Sequence, residues 1–175
     1  GTLKDAKKIG GLRGLYLHYC YRLGILPKKK QQNYARLHYL LKDDLMKMDA
    51  ITNETRLLCR NHIDTAEQLL SYKGSLESEM QELTEQRKGL YSQSRRLRRE
   101  EIPCGDTSMP CGNQEEKEAV KARLSEIKER MKIIRKEVRL CDGVFARSDT
   151  IKEKLQTIRA DEKEQQRKEL MKHEH

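Results

Sequence analysis

From Val120 through Leu124, Ile127, Met131, Ile134 and Val138 to Cys141, apolar residues recur at alternating spacings of four and three, with Lys, Arg and Glu between them. A helix gathers such positions into one stripe, and a sustained heptad makes that stripe a coiled-coil seam that needs a partner. The partner is expected upstream, where Leu69, Leu76, Leu83, Leu90 and Leu97 recur every seven residues. Between the two arms, residues 101–114 hold Pro103-Cys104-Gly105 and Pro110-Cys111-Gly112, which stop one helix and let another start. Folding the arms about the centre of that loop sets Leu76 near Leu140, Leu83 near Met131 or Lys132, Leu90 near Leu124 and Leu97 near Lys117 or Val120. The predicted fold is therefore all-α: a small helical bundle at the base with a long antiparallel coiled-coil hairpin.

The base is expected to come from residues 1–52 and from the inner ends of the arms. Ile9, Leu12, Tyr16, Tyr19 and Leu23 form one stripe of a first helix over residues 3–23. Gly10, Gly11 and Gly14 interrupt it, so its start is frayed or lies close against another backbone. Gly24 and Pro27 end it. A second helix is predicted over 32–48, and a break at 49–53, where Thr52 or Asn53 caps a long third helix over 53–100 with Glu54 in its first turn. Its first third is apolar on two sides, with Leu58, Ala66 and Leu69 on one and Cys59, Ile63 and Leu70 on the other. One side is assigned to the first two helices and the other to Val144, Phe145, Ile151, Leu155 and Ile158 of the return helix, 115–159. That helix can bend at Gly143, and residues 160–175 form a polar tail.

Composition narrows the function classes. With 37% charged residues, one Phe and no Trp, the chain suits a thin, elongated core. No apolar run approaches the length that spans a bilayer and there is no signal-peptide pattern, so no membrane contact and a cytoplasmic location are expected. A start without Met suggests a fragment of a longer protein. Five scattered cysteines do not make a secreted disulfide framework; Cys20, Cys59 and Cys141 read as packed thiols. Cys104 and Cys111 flank the tip loop, and either stay reduced or close a disulfide.

Charge is uneven. Residues 1–36 carry Lys4, Lys7, Lys8, Arg13, Arg22, Lys28, Lys29, Lys30 and Arg36 against only Asp5, which places +8 of the net +9 there. Such a patch contacts phosphate backbones or an acidic protein surface, or is a solvated face. A secondary basic patch, Arg95, Arg96, Arg98 and Arg99, suits forked contacts to phosphate, unless Glu115, Glu116 and Glu118 neutralise it across the hairpin. The Tyr16-Leu17-His18-Tyr19-Cys20-Tyr21 cluster looks catalytic, but adjacent helical residues diverge. Tyr16 and Tyr19 read as core residues with exposed hydroxyls. No histidine spacing closes a metal site. Neither a catalytic residue nor a cofactor is expected in this chain.

Two longer strings add to this reading: Lys8-Ile9-Gly10-Gly11-Leu12-Arg13-Gly14-Leu15-Tyr16-Leu17-His18-Tyr19 and Glu54-Thr55-Arg56-Leu57-Leu58-Cys59-Arg60-Asn61-His62-Ile63-Asp64-Thr65-Ala66-Glu67-Gln68-Leu69, joined by Lys136-Glu137-Val138-Arg139-Leu140-Cys141-Asp142-Gly143. The chain resembles the carboxy-terminal helical region of relaxases, mobilisation nucleases from conjugative or mobilisable elements of gut Firmicutes. The resemblance implies a parent that nicks DNA through a tyrosine with a histidine-bound metal. The paired histidines and nucleophile of that chemistry are absent here, so no catalytic residue carries over. It also implies DNA, relaxosome or coupling proteins as partners. The alternative is a purely structural coiled-coil module that pairs as a homodimer without binding DNA.

Overall fold

The structure, a computed structural model, describes residues 9–26, 41–100 and 114–173. The protein is all-α, with no strand among the described residues. Its helices are α1 (Gly11–Leu23), α2 (Met48–Arg60), α3 (Ala66–Arg99) and α4 (Gln114–His173), with a further helical stretch at residues 41–45. No described helix is long and apolar enough to cross a membrane. Two compact units divide the chain, residues 1–71 with 139–175 and residues 72–138; α3 and α4 contribute to both.

In the first unit the core is formed by Leu12, Tyr16, Tyr19 and Leu23 of α1, Ile51, Leu57 and Leu58 of α2, and Cys141, Val144, Ile151, Leu155 and Ile158 of α4. The helix boundaries differ from expectation. A turn at 46–47, rather than 49–53, precedes α2. Thr52 therefore lies inside α2, its hydroxyl donating to the Met48 carbonyl at 2.7 Å, and Glu54 lies in the core instead of a first turn.

The expected long helix over 53–100 is broken at 61–65. His62 adopts φ 52°, and the amides of His62 and Ile63 donate back to the carbonyls of Cys59 and Leu58, a Schellman termination with His in the left-handed position. Thr65 then opens α3: its hydroxyl accepts from the Gln68 amide at 3.1 Å, and the Gln68 side chain accepts from the Thr65 amide at 3.2 Å. This reciprocal pair is a capping box, with the signature Thr-x-x-Gln. The break moves Ala66 and Leu70 to the surface, so neither belongs to a buried stripe.

The glycines at the start of α1 follow from that turn. Leu12 donates its amide to the Asp64 carbonyl at 2.7 Å. At Gly11, with φ +63°, a Cβ would lie 2.0 Å from that same oxygen. Ile9, counted on the inward stripe, precedes the helix and is exposed.

The return helix α4 runs without interruption through Gly143 and continues through 160–173, where the polar tail takes the form of a solvated helix rather than a frayed end. Its inward positions pass from the half-buried Val138 to the buried Cys141 and Val144, two steps of three in succession. That slip rotates the stripe, so Val144 is buried and Phe145 is turned outward.

In the second unit α3 and α4 pack through Leu76, Leu83, Ile127, Met131 and Ile134, with Tyr72, Met80, Leu90 and Val138 partly buried against them. A ladder of side-chain bonds sets the register. Tyr72 donates to Glu137 at 2.8 Å, Arg130 forks onto Glu79 at 2.6 and 2.8 Å, Arg123 donates to Gln86 at 3.3 Å and Gln93 donates to Glu116 at 3.1 Å. Each step of seven along α3 is answered by a step of seven backward along α4. By that register Leu83 lies level with the stretch between Arg123 and Arg130 and Leu90 level with 116–123, shifted toward the loop from the expected pairing, while Leu83 and Met131 still share one packed cluster. The pairing is set by the flanking bonds and the packed stripe rather than by the midpoint of the loop.

Candidate functional site

The tyrosine cluster of α1 resolves into two buried networks. Tyr16 and Tyr19 are one helical turn apart and both fully buried, hydroxyls included. Tyr16 donates to Glu54 Oε2 at 2.8 Å, while Arg147 of α4 lies 3.2 Å from Glu54 Oε1. Tyr19 donates to Asp44, which also takes Lys154 at 2.5 Å. The reading of both hydroxyls as exposed is thus corrected: buried phenols retain a partner because an unpaired hydroxyl would cost about 1–3 kcal/mol.

Burial, together with the adjacent carboxylates, pushes both phenols far above the usual tyrosine range, so they remain protonated donors. The two acids diverge. Burial raises the Glu54 carboxyl and outweighs the Tyr16 bond and the Arg147 charge, which lower it. Asp44 is also pushed up by burial, yet the Lys154 and Tyr19 bonds and the Lys154 charge prevail and hold it below its ordinary value. Cys20, beside Thr55 Oγ1 at 3.2 Å, has a thiol raised by burial and packs as a small core residue. The arrangement is suited to joining α1, α2 and α4.

The basic residues assigned to nucleic acid separate into three groups. Arg13 forks onto Asp64 at 2.9 and 3.1 Å and contacts His62 Nδ1 at 2.9 Å, which ties α1 to the turn before α3. Arg22 pairs with both carboxylate oxygens of Glu162. With side chains 21% and 10% exposed, these two guanidiniums are committed within the fold. Lys7, Lys8, Lys28, Lys29, Lys30 and Arg36 lie outside the described residues, as do Cys104 and Cys111.

The third group is Arg95, Arg96, Arg98 and Arg99, all exposed at the end of α3. Arg96 has Glu100 at 3.8 Å on its own helix. Among the described residues no acid pairs with Arg95, Arg98 or Arg99, and Glu116, expected to neutralise them, accepts from Gln93 instead. Arg95 and Arg98 border a groove of about 510 Å³ with Tyr91, Leu97, Val120 and Lys121. Glu116 and Glu137 of α4 bond across the other flank of the pair, while Glu118 lines this groove without pairing with Arg95 or Arg98.

Sequence reasoning missed Asp44, Glu54, Arg147 and Lys154, which look like surface charges on amphipathic helices. It also missed the cations of α4 beside the groove. Their only sequence signal is the repeat Lys121, Lys128, Arg135, each one residue after a seam position. No group of three or more metal-ligating side chains converges among the described residues. No family model matches the chain, and neither a curated protein nor a solved structure matches it.

Proposed function

We propose that this chain is a non-catalytic accessory domain of a relaxase, which contacts DNA without reading its sequence and offers an antiparallel coiled-coil arm to relaxosome or coupling proteins. The relaxase-like strings support the family. The observation that carries the DNA contact is the arginine cluster at the end of α3, exposed and, apart from Arg96 with Glu100 at 3.8 Å, without an acid partner among the described residues. Guanidinium groups fork onto phosphate oxygens, and helix-borne arginines with no base-reading partner in a groove give affinity without specificity. With Arg13 and Arg22 committed to Asp64 and Glu162, the arm carries the contact among the described residues.

Anisotropy titration of a labelled short duplex tests this reading. Binding is expected to be weak, indifferent to sequence and steeply reduced by salt, because each phosphate contact releases counterions. Reversing Arg95, Arg96 and Arg99 to Glu is expected to weaken it by about tenfold or more. Absence of binding at low salt removes the DNA role.

A second reading, oligomerisation without DNA, draws on the exposed Leu170 and Met171 in the last turns of α4. Light scattering separates the two: a stable dimer without DNA affinity favours the second.

A further inference from the structure

The two flanks of the α3–α4 pair in the second unit are chemically unlike. One carries the bonded ladder from Tyr72–Glu137 to Gln93–Glu116. The other carries Glu77, Thr84, Tyr91 and Arg98 of α3 and Lys121, Lys128 and Arg135 of α4, both rows stepping by seven, with Glu77 taken by Lys73 of its own helix at 3.7 Å. Lys121, Lys128 and Arg135 are exposed, and none has a cross-helix partner among the described residues. At its outer end this flank opens into a groove between Tyr91, Leu97 and Arg98 of α3 and Val120, Lys121 and Leu124 of α4, with Glu118 also on its wall. Its floor is partly apolar, since Met80, Leu90 and Leu124 are only half-buried and Tyr91 is 49% exposed.

We infer that this open flank docks an acidic amphipathic helix of a partner protein, laid as a third strand along the groove between α3 and α4. The inference rests on reading the second unit as a docking arm, and it names the chemistry of the partner. Three observations converge. The cations recur at a heptad step of about 10.5 Å, the repeat that a helix lying alongside presents. The half-exposed apolar floor gains from being covered by an apolar stripe, whereas a phosphate backbone offers none. The ladder flank has already spent its acids and amides within the pair, and along the groove Arg95, Arg98, Lys117 and Lys121 outnumber the acid Glu118, so the open flank is left with an excess of positive charge.

The test uses the full chain and a synthetic helix of several heptads with Leu on its seam and Glu on both flanks, beside the same helix with Lys in place of Glu. The Glu helix is expected to bind and the Lys helix not. Lys121→Glu with Lys128→Glu should weaken the Glu helix by about tenfold or more and admit the Lys helix. That exchange of preference cannot come from a variant that has failed to fold. Equal binding of both helices, or an unchanged preference in the variant, overturns the proposal. So does a duplex that loses affinity in the variant while the Glu helix never binds, which assigns the flank to nucleic acid. A dimer abolished by the same substitutions assigns the flank to a second copy and likewise overturns it. Loss of duplex binding on reversal of Arg95, Arg96 and Arg99, with helix binding intact, leaves both readings standing. No duplex binding at all, with helix binding intact, removes only the DNA reading.

Discussion

A methyl group at Gly143 would stand 2.3 Å from Glu54 Oε1. Alanine in a helix interior ordinarily gains about 1 kcal/mol over glycine, but here Glu54 is held by Tyr16 and Arg147 and cannot swing away without losing both. Gly143→Ala is therefore expected to destabilise the protein by about 1–3 kcal/mol. In a Glu54→Ala background the same change should become neutral or stabilising, as a double-mutant urea series would show. Glu54 also carries a pH signature. Its folded carboxyl is raised above the ordinary 4.5, so the folded state holds that proton more tightly than the unfolded chain. The stability this contributes is complete below 4.5 and is lost as pH rises through the raised value. Relative to wild type, Glu54→Gln should therefore gain as pH increases from about 4.5, seen as a drift in the difference between their urea midpoints. Asp44 acts in the opposite sense: lowered from 3.8, it stabilises above that value and the contribution is lost as pH falls.

At the scale of the helix, burial and not apolarity decides what a residue contributes. Ile134 and Ile133 are neighbours on α4, yet Ile134 is fully buried while Ile133 is 46% exposed. Ile134→Ala should cost about 2–5 kcal/mol through lost transfer energy and a residual cavity. Ile133→Ala should fall within about 0.5 kcal/mol, measured by thermal or urea unfolding. Element identity was legible where the repeat was long. The heptad leucines and the stripe from Val120 to Cys141 identify α3 and α4 from spacing alone, because period 3.6 and burial reinforce each other over many turns. Boundaries were less so. The break at 61–65 carried a readable capping box in Thr65 and Gln68, but its stop signal was a left-handed His62 where glycine is the usual mark. The slip at Cys141–Val144 was visible as spacing; which residue it turned outward required the packed core.

At the scale of the whole chain, the net charge is a poor guide to where charge is available. Arg13 and Arg22 counted toward a basic amino-terminal patch, and the fold spends both on carboxylates far away in sequence. Arg95, Arg98 and Arg99 were set against three glutamates, and the register of α3 and α4 takes one of these, Glu116, to Gln93. The salt-dependent duplex binding expected above belongs to this scale, because it counts phosphates met by open cations and not the formal charge of the chain.

The sequence by itself determined an all-helical protein, the apolar stripes of α3 and α4, and the glycine stop at Gly24. These are local properties, written in spacings of three, four and seven and in backbone preferences that act within a few residues. Tertiary structure alone decided that Tyr16 and Tyr19 point at Glu54 and Asp44, that Arg147 and Lys154 complete those networks, and that one flank of the second unit is bonded while the other is open. An acid on an amphipathic helix has the same local spacing whether it meets water or a phenol. Only the packing of elements distant in the chain sets its dielectric surroundings and its partner.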